Sequence, residues 1–558
     1  MFADYICFFH TDSKMNKLSK DIRVNLFFKS YTSDTDALNL FKTCKYEYCK
    51  INLYKYKTAV NFHNLHNYKN CIIQNVKNIE SVDHLSHLIG LKNPITQVQF
   101  SDRFNEFISL FPTYVTHITF GDDFNQPVMY VPISVTHLTF GLYFNLDFDD
   151  LPNSIIHLKF GNCFNRPIQN NLPQFLTHLT FGNHFNLPIG GNLPNSITHL
   201  TLGASFNLPI ECNLPNSITH LTLGSEFNHS IDGQLPNSIT HLTLGDDFNQ
   251  PVNSLPNSIT HLTFGWDFNQ VVNNLPNSVT YLKFGCRFNQ NVDNLPNLIT
   301  HLHFGYNFNQ RVDHLPNSLL HLQFGKPDNR FQTVPRLPFN HPIDNLPSTI
   351  IYLSLGNYFN HSLNKLPNSL TQLSFGHSFN KLIKNLPNSI THLSFGQHFN
   401  QHVNHRNLPS SLTHLIFNHD FNQAVHHLPN SITHLTFGHD FDQPIKKLPN
   451  SVTHLTFGNN FNQPIEKLPK FITHLTFGGC FNQPIKKLPD SITHLIFGYC
   501  FNQSLGVYNL PNSITHLTLG FNFDHLVSNL PKSLTHITFD CEYELIDNLP
   551  KSITINYQ

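Results

Sequence analysis

The chain has 558 residues, of which 34 are basic and 35 acidic, and its formal net charge of −1 excludes a global field that would attract nucleic acid or an anionic membrane. Apolar residues make up 40% of the chain and include 52 phenylalanines, enough for a large core, while the 10 cysteines show neither metal-ligand spacing nor the density of a disulfide-rich secreted domain. Because no apolar run is long enough to cross a membrane and no signal-peptide pattern opens the chain, the sequence predicts a cytoplasmic protein with reduced thiols.

The first 90 residues differ from the rest in composition, with more Lys, Tyr and Cys and no repeat. We expect a small helical domain over residues 1–60, followed by a linker and an N-terminal cap over 61–90. The stretch from Leu18 to Tyr48 resembles an F-box, although Ser19 stands where that family usually has Pro. The resemblance implies that a Skp1-like adaptor contacts five apolar residues, namely Leu18, Ile22, Leu26, Phe27 and Leu38. The alternative is a generic helical cap that shields the end of the first repeat.

Beyond residue 90 the chain repeats itself about every 20 residues. Each repeat opens with Leu-Pro or a close variant, and 21 such starts fall between residues 111 and 530. We expect one solenoid over 91–558, with about 21 full repeats and an interruption at 326–345. Within that interruption, Phe339 to Ile343 keep the repeat pattern while a strand is predicted to be lost. A fixed period of this length is typical of stacked supersecondary units.

The repeat that starts at Leu428 shows what each position is predicted to do. A β-prone run bounded by Pro429 and Gly438 predicts one short strand around His434. Alternation places His434 on the face away from the core, and the proline-broken remainder predicts an irregular return path without a regular helix. The core is expected to be built from Leu428, Ile432, Leu435, Phe437, Phe441 and Ile445. One repeat cannot bury this face alone, so the strands must stack.

Two polar or small columns accompany every strand. Gly follows the strand in 19 of the 21 repeats and is replaced by Asn418 and Asp540, residue types that tolerate positive φ, so the column predicts a left-handed turn. The Asn of Phe-Asn becomes Asp at 442 and 524. An oxygen acceptor survives that exchange, which predicts that this column caps backbone amides in a buried turn.

The pattern LPxSITHLTFGxxFNQPI resembles the FNIP repeat, with its Phe-Asn-x-Pro-Ile core at 461–465 and 481–485. That family is related to leucine-rich repeats, is abundant in social amoebae and in giant viruses that infect amoebae, and often follows an N-terminal F-box. The resemblance implies a β-rich solenoid with a parallel sheet on the concave face and irregular convex returns. It also implies a binding role, and the host-cell cytoplasm as the location of a viral member.

His434 belongs to a column that is histidine in 18 of the 21 repeats. Strands about 4.8 Å apart would turn this column into a ladder of imidazoles. Neighbouring positive charges at that distance repel by about 1 kcal/mol even in water, so we expect most rings to be neutral at pH 7. A metal row would need converging ligands, and catalysis would need one distinct base, neither of which a uniform ladder offers. We interpret the ladder as a packed polar floor.

The residues that determine partner specificity are predicted at positions where a repeat differs from the usual residue of its column. Between residues 281 and 374 the two outward strand positions change, and large side chains also appear in the turn after the strand. Aromatic and Arg side chains are frequent anchors of interfaces. The partner-binding residues predicted in this way are Tyr281, Lys283, His303, Gln323, Tyr352, Gln372, Trp266 and Arg287. The alternative is neutral drift in a long redundant array.

Taken together, the sequence predicts a protein-protein interaction protein with no catalytic residues, metal or cofactor. The F-box resemblance implies the substrate receptor of a Skp1-cullin-F-box ubiquitin ligase, a monomer within a larger complex whose partners are a Skp1-like adaptor and a protein substrate. The alternative is a scaffolding repeat protein that binds a partner through its concave face with no link to ubiquitin. Neither hypothesis includes nucleic acid or a membrane.

Overall fold

The structure is a computed structural model that describes residues 60–61, 75–89, 95–148, 151–168, 172–210, 214–325, 338–425, 427–465, 467–485, 487–505, 510–525, 530–540 and 553–557. The five adaptor-contact residues predicted in the F-box-like segment lie outside this described part. The chain divides into an N-terminal body, which runs to Ile239 without 230–233, and a C-terminal body made of 230–233 and the residues from Thr240 onward. No helix in the described ranges has the length and apolar character needed to cross a membrane.

The N-terminal body contains a parallel sheet that begins before the predicted repeats. Its first elements are strand β1 (Val60–Asn61), strand β2 (Asn75–Ile79), helix α1 (Val82–Ile89) and strand β3 (Gln97–Phe100). Strand β1 pairs with β2, and β2 pairs with β3. The region expected to be a linker and cap therefore already contributes strands to the sheet.

Helix α1 is an amphipathic helix of about two turns, and two side chains hold its start. The Oγ of Ser81 accepts the His84 amide at 3.3 Å, and a carboxylate oxygen of Glu106 accepts the Val82 amide at 2.8 Å. Both contacts satisfy amides that have no partner within the helix. Leu85 and Leu88, three residues apart, are buried against the sheet side of the body.

The remaining strands follow one per repeat and pair in parallel with the strand before them inside each body. In the N-terminal body they are β4 His117–Thr119, β5 His137–Thr139, β6 His157–Lys159, β7 His178–Thr180, β8 His199–Thr201 and β9 His220–Thr222. In the C-terminal body they are β10 His241–Thr243, β11 His261–Thr263, β12 Tyr281–Lys283, β13 His301–His303, β14 His321–Gln323, β15 Tyr352–Ser354, β16 Gln372–Ser374, β17 His392–Ser394, β18 His414–Ile416, β19 His434–Thr436, β20 His454–Thr456, β21 His474–Thr476, β22 His494–Ile496, β23 His516–Leu519, β24 His536–Phe539 and β25 Thr554–Tyr557. The chain is thus a parallel β-solenoid, as predicted.

Within each body the strands pair in register, so that equivalent residues of successive repeats lie next to each other. In the C-terminal body, for example, His434 pairs with His454 and Leu435 with Leu455. The six core positions predicted for the repeat from Leu428 are all buried, with exposures between 0% and 5%. Their return path has no helix and is formed by turns, in which the Ile432 amide donates to Pro429 and the Phe441 amide donates to Gly438, both at 3.3 Å.

The asparagine column forms a second ladder of hydrogen bonds between repeats. The Oδ1 of Asn422 accepts the amide of Asp442 at 3.0 Å, and the Oδ1 of Asp442 accepts the amide of Asn462 at 2.9 Å. The predicted acceptor role is confirmed, and the exchange for Asp preserves it because either side chain offers an oxygen. The capped amide belongs to the following repeat, and the side chains of this column are half-buried or exposed.

The glycine column has a different cause from the one predicted. Among the described residues, the glycines with positive φ are Gly191 and Gly233, neither of which follows a strand, and Asn418 also lacks a positive φ. A Cβ built on Gly438 would instead overlap the backbone carbonyl of Asn418 in the preceding repeat. The left-handed turn was therefore wrong: at most positions of this column the neighbouring backbone approaches too closely for a side chain.

The interruption at 326–345 is an insertion inside one repeat. Phe339 stacks on Phe324 with ring centroids 4.0 Å apart, as Phe308 does on Phe304 at 3.7 Å in the preceding repeat. The Asn340 amide also donates to the Oδ1 of Asn309 at 3.1 Å. Phe339 and its neighbours therefore complete the repeat that contains strand β14, and β14 pairs directly with β15. No strand is missing here, which corrects the expectation that this pattern had lost one.

Each body bends locally toward its histidine side. In the C-terminal body the rings of His434 and His454 lie 4.2 Å apart, whereas those of Phe437 and Phe457 behind the strand lie 5.7 Å apart. The same trend holds in the N-terminal body, with 4.1 Å for His178 and His199. Since paired strands are about 4.8 Å apart, the spacing is compressed on the histidine side and stretched in the core.

Candidate functional site

Histidine rings stack along the solvent side of the sheet in both bodies. In the N-terminal body, successive rings from His117 to His220 have centroids 4.0–4.3 Å apart. In the C-terminal body, successive rings from His392 to His536 lie 4.2–4.5 Å apart. We call these two runs the histidine ladder.

A threonine precedes every histidine of the ladder except His157, which follows Ile156, and its hydroxyl fixes the ring. The hydroxyl of Thr453 lies 3.2 Å from the carbonyl oxygen of Thr433 and 2.9 Å from Nδ1 of His454. A carbonyl oxygen cannot donate, so the hydroxyl donates to it, and we infer that Nδ1 of His454 carries the ring hydrogen and donates to the hydroxyl. The Nε2 atom then remains as the acceptor of the neutral ring.

Burial lowers the pKa of several rings of the ladder, which favours the neutral form expected of them. Burial, followed by the charges of neighbouring histidines, lowers the pKa of His137 and of His178 to about 4. Burial and the adjacent rings also lower the pKa of His454. The physical cause is that a positive ring in this stack loses water and meets other imidazoles at van der Waals distance.

The ladder is broken at strands β12 and β15. Tyr281 replaces histidine on β12, and its ring lies 5.6 Å from that of His261 and 6.1 Å from that of His301. Tyr352 replaces histidine on β15, 5.6 Å from His321. Gln372 follows on β16 with an exposed side chain. The regular stack is therefore interrupted at β12, β15 and β16, while His301 and His321 between them still stack with ring centroids 4.4 Å apart.

The second outward column changes over the same strands. Lys283 is exposed, whereas His303 and Gln323 on the next two strands are half-buried. The ring of Tyr281 lies 5.4 Å from that of His303, across the two columns. Burial and the Lys283 charge lower the pKa of His303, so this ring is neutral at pH 7. The structure thus brings these four side chains together with Tyr352 and Gln372 on five adjacent strands, β12 to β16.

The two predicted residues in the turn after the strand lie side by side on the rim of the sheet. The amide of Arg287 donates to the carbonyl of Trp266 at 2.9 Å, and its Nε lies 3.2 Å from a carboxylate oxygen of Asp267. Arg287 is half-exposed and Trp266 is partly buried. Tyr306, which follows the glycine column two repeats after Trp266, is buried instead, and its ring packs edge-on to that of Tyr358.

The structure also reveals residues of this region that the sequence did not predict. Ser354, expected on the outward face of β15, is 2% exposed, and Asn357 in the following turn is 3% exposed. Tyr358, next to it, keeps 46% of its surface exposed and lies beside Tyr306. The insertion in the preceding repeat was the one available signal that this turn differs from its equivalents.

Comparison with known proteins agrees with this repeat architecture. The family described as FNIP Repeat matches residues 104–143, 130–163, 164–205, 185–226, 206–247, 227–254, 248–287, 288–327, 339–378, 359–398, 379–420, 421–460, 441–480, 461–500 and 501–542. The crystal structure of CroV588, described as a novel circular LRR protein structure, is 42% identical, covers 88% of this chain and 85% of its own, and has a TM-score of 0.66. YopM, a leucine-rich effector protein from Yersinia pestis, is 14% identical and covers 70% of this chain and 84% of its own, with a TM-score of 0.22. No curated protein matches the sequence.

Proposed function

Because the chain belongs to the FNIP-repeat family, whose leucine-rich-repeat type of solenoid is suited to protein-protein interaction, we propose that it is the substrate receptor of a Skp1-cullin-F-box ubiquitin ligase. One end binds a Skp1-like adaptor and the repeats hold a protein substrate. The protein acts as a binding subunit rather than an enzyme, as a monomer within a larger complex, in the cytoplasm or, for a viral protein, in the host-cell cytoplasm.

The observation that carries the binding site is the contiguity of the broken ladder. Tyr281, Lys283, His303 and their partners on β12 to β16 lie on neighbouring strands of one sheet. A continuous surface of aromatic, amide and basic groups can recognise one partner, whereas a run of identical His and Thr rungs offers the same contact at every register.

Aromatic and guanidinium groups at the edge of this surface supply anchors for the partner. Trp266 and Arg287 stand beside each other on the rim next to β11 and β12. The indole of Trp266 gains much contact area at little cost in conformational entropy, and both Trp and Arg are frequent hot spots of interfaces. Asp267 pairs with Arg287 in the free protein and would exchange that contact for one with the partner.

The adaptor half of the proposal rests on the F-box-like sequence at Leu18, Ile22, Leu26, Phe27 and Leu38. Its support is the resemblance itself and the family membership of the repeats that follow. Apolar residues at these positions fit a role in which they are covered by another protein, since an exposed cluster of this kind is unfavourable in water.

The adaptor half is tested by binding of purified Skp1 to three proteins: the full chain, the full chain with Leu26→Asp and Phe27→Asp, and residues 61–558. We expect capture by the full chain and a loss of at least about tenfold in affinity for the other two, because a buried charge in an apolar interface is costly. Full-chain Tyr46→Phe is the matched control. Equal capture by all proteins, or none by any, would contradict the ligase function.

The second candidate is a scaffold that binds a protein partner through the same face without ubiquitin. The uniform ladder outside β12 to β16 favours a mechanical role for most of the array. In that case the Skp1 experiment gives no binding, while the substitutions at Tyr281 and Tyr352 described below still weaken the partner interaction. The two experiments therefore separate the two functions.

A further inference from the structure

A row of histidine and aspartate side chains lies in the turns that follow strands β17, β18 and β19 of the C-terminal body. These turns contain the two variable residues after the glycine column. We call His398, His419, Asp420, His439 and Asp440 the rim row. The amide of Asp440 donates to the carbonyl of His419 at 2.8 Å, so successive turns are in register and their side chains stand next to each other.

Three members of the rim row converge on one point. Oδ1 of Asp440 lies 2.7 Å from Nδ1 of His439, and Oδ2 lies 3.5 Å from Nδ1 of His419. One ligand atom from each of the three residues lies within 4.8 Å of the others. Around a tetrahedral Zn²⁺ with bonds of about 2.0 Å, neighbouring ligand atoms are about 3.3 Å apart. The observed spacing brackets that value, and rotations of the side chains can close the difference.

The side chains can rotate enough to bring the ligand atoms to the spacing that the ion requires. The rings of His419 and His439 are parallel with centroids 4.5 Å apart, so each ring must turn toward the ion. Their last torsion has a broad energy minimum, and the two side chains are 46% and 44% exposed. An ion can therefore enter from solvent without displacing the core.

The backbone beneath these side chains is held firmly. Phe441, which follows Asp440, is fully buried and stacks on Phe421 with centroids 6.0 Å apart. The Asn460 side-chain amide donates to Oδ1 of Asp440 at 3.0 Å and orients the carboxylate. Support of this kind for a ligand is what metal sites need from the residues around them.

In the metal-free protein, hydrogen bonds between imidazoles and carboxylates hold the side chains of the rim row in place. Nδ1 of His419 contacts Asp420 at 2.8 Å, and Nδ1 of His439 contacts Asp440 at 2.7 Å. When a cation binds both Nδ1 atoms, each neutral ring carries its hydrogen on Nε2 instead, while His398 still contacts Asp420 at 2.7 Å. Because a protonated ring cannot bind a metal ion, binding weakens as the pH falls.

We propose that His419, His439 and Asp440 bind one divalent transition-metal ion, with Zn²⁺ as the best match and water at the remaining position. Two imidazoles and a carboxylate favour Zn²⁺, Ni²⁺ or Co²⁺ over Mg²⁺ and Ca²⁺, which prefer shells made of oxygen. The histidine ladder lacks this arrangement, because the neighbouring outward column is mostly Thr and offers no carboxylate. The proposal is independent of the ligase function.

Calorimetric titration of Zn²⁺ into the EDTA-stripped full chain at pH 7 measures the affinity of the tightest site. We expect His439→Asn and Asp440→Asn each to weaken that site by about tenfold or more, since each removes a ligand. Crystals soaked in ZnCl₂ and measured at the zinc absorption edge should show an anomalous peak among His419, His439 and Asp440.

Two matched variants serve as controls. His398→Asn removes a rim histidine that contacts a carboxylate at the same 2.7 Å as His439 does, and His434→Asn removes a rung of the ladder. Both should leave the tightest affinity within about twofold of the unmodified chain. Thermal unfolding without metal confirms that each variant folds. The proposal is overturned when His439→Asn and Asp440→Asn bind as tightly as the controls, or when the anomalous peak lies on the ladder.

Discussion

The strands from β17 to β24 and those from β12 to β16 belong to the same body and share the same core, yet their solvent faces differ. From β17 to β24 every strand starts with a histidine that stacks on the next at 4.2–4.5 Å. From β12 to β16 that position is Tyr281, His301, His321, Tyr352 and Gln372, and the stack opens to about 6 Å beside Tyr281. We propose that repetition on this surface serves the structure and that its interruption serves recognition.

The two regions should differ most in the loss of stability that a Gly→Ala substitution causes, because the spacing between neighbouring backbones differs. A Cβ on Gly458 would overlap the backbone carbonyl of Gly438, whereas one on Gly356 would meet the Cβ of Phe324 at 3.4 Å and the carbonyl oxygen of Gly325 at 3.5 Å, which is ordinary contact. We therefore expect Gly458→Ala to destabilise the protein by about 1–3 kcal/mol or more, because its backbone cannot yield. Gly356→Ala should change stability by less than about 0.5 kcal/mol.

Chemical denaturation of the two glycine variants, followed by circular dichroism, measures this difference. Equal destabilisation by both substitutions would show that the repeats on either side of the insertion are packed as tightly as those of the regular ladder.

The second expected difference between the regions is the pH dependence of stability that their side chains contribute. Burial lowers the pKa of His454 and of His494 below the ordinary value of 6.5. As the pH falls through 6.5 the unfolded chain takes up these protons before the folded chain does, so stability is complete above 6.5 and decreases as the pH drops toward the lowered pKa values. We expect His454→Gln with His494→Gln to make this decrease shallower, by up to two fewer protons taken up on unfolding.

Thermal unfolding midpoints between pH 7 and pH 4.5 provide the readout. The matched control is Gln372→Asn on β16, which adds no titrating group and should reproduce the slope of the unmodified protein. A slope that is the same for all three proteins would contradict a ladder kept neutral by burial.

Substitutions in the asparagine column should have the smallest effect on stability, and the effect should be the same in both regions. The Oδ1 of Asp442 accepts the Asn462 amide at 2.9 Å in the regular stretch, and the Oδ1 of Asn340 accepts the Asn360 amide at 2.9 Å in the interrupted one. Asp442→Ala and Asn340→Ala should each cost about 1 kcal/mol, and Asp442→Asn close to nothing, because the amide oxygen keeps the bond. Denaturation midpoints of the three variants check this, and a large cost for Asp442→Asn would exclude the acceptor role.

Much of the fold could be predicted because the period repeats every requirement many times. The strand, its core positions and the lowered pKa of several rings follow from alternation and from the spacing of parallel strands. The cause of the glycine column could not be predicted, since positive φ and a close backbone approach both demand Gly. The segment around Phe339 was expected to belong to a repeat that had lost its strand, because its distance from Gly325 along the sequence hides the stacking on Phe324.

The contacts within the rim row could not be predicted from the sequence of a single repeat. His419 and His439 occupy a variable position, and their contacts with Asp440 appear when two successive turns are set side by side. The predicted partner residues on β12 to β16 were easier to find, because each of them departs from a column that is otherwise constant. Sequence reasoning therefore detects exceptions within a column more readily than pairs formed across neighbouring columns.

The most direct test of the account measures the affinity of one cross-linked and identified protein partner for Tyr281→Ala, Tyr352→Ala and His474→Ala. The two tyrosines break the ladder, and His474 is a regular rung that stacks on His454 and His494. We predict a loss of about tenfold or more for each tyrosine variant, the size expected of an interface hot spot, and a change within about twofold for His474→Ala. Equal losses at all three positions would contradict the claim that recognition lies where the ladder is interrupted.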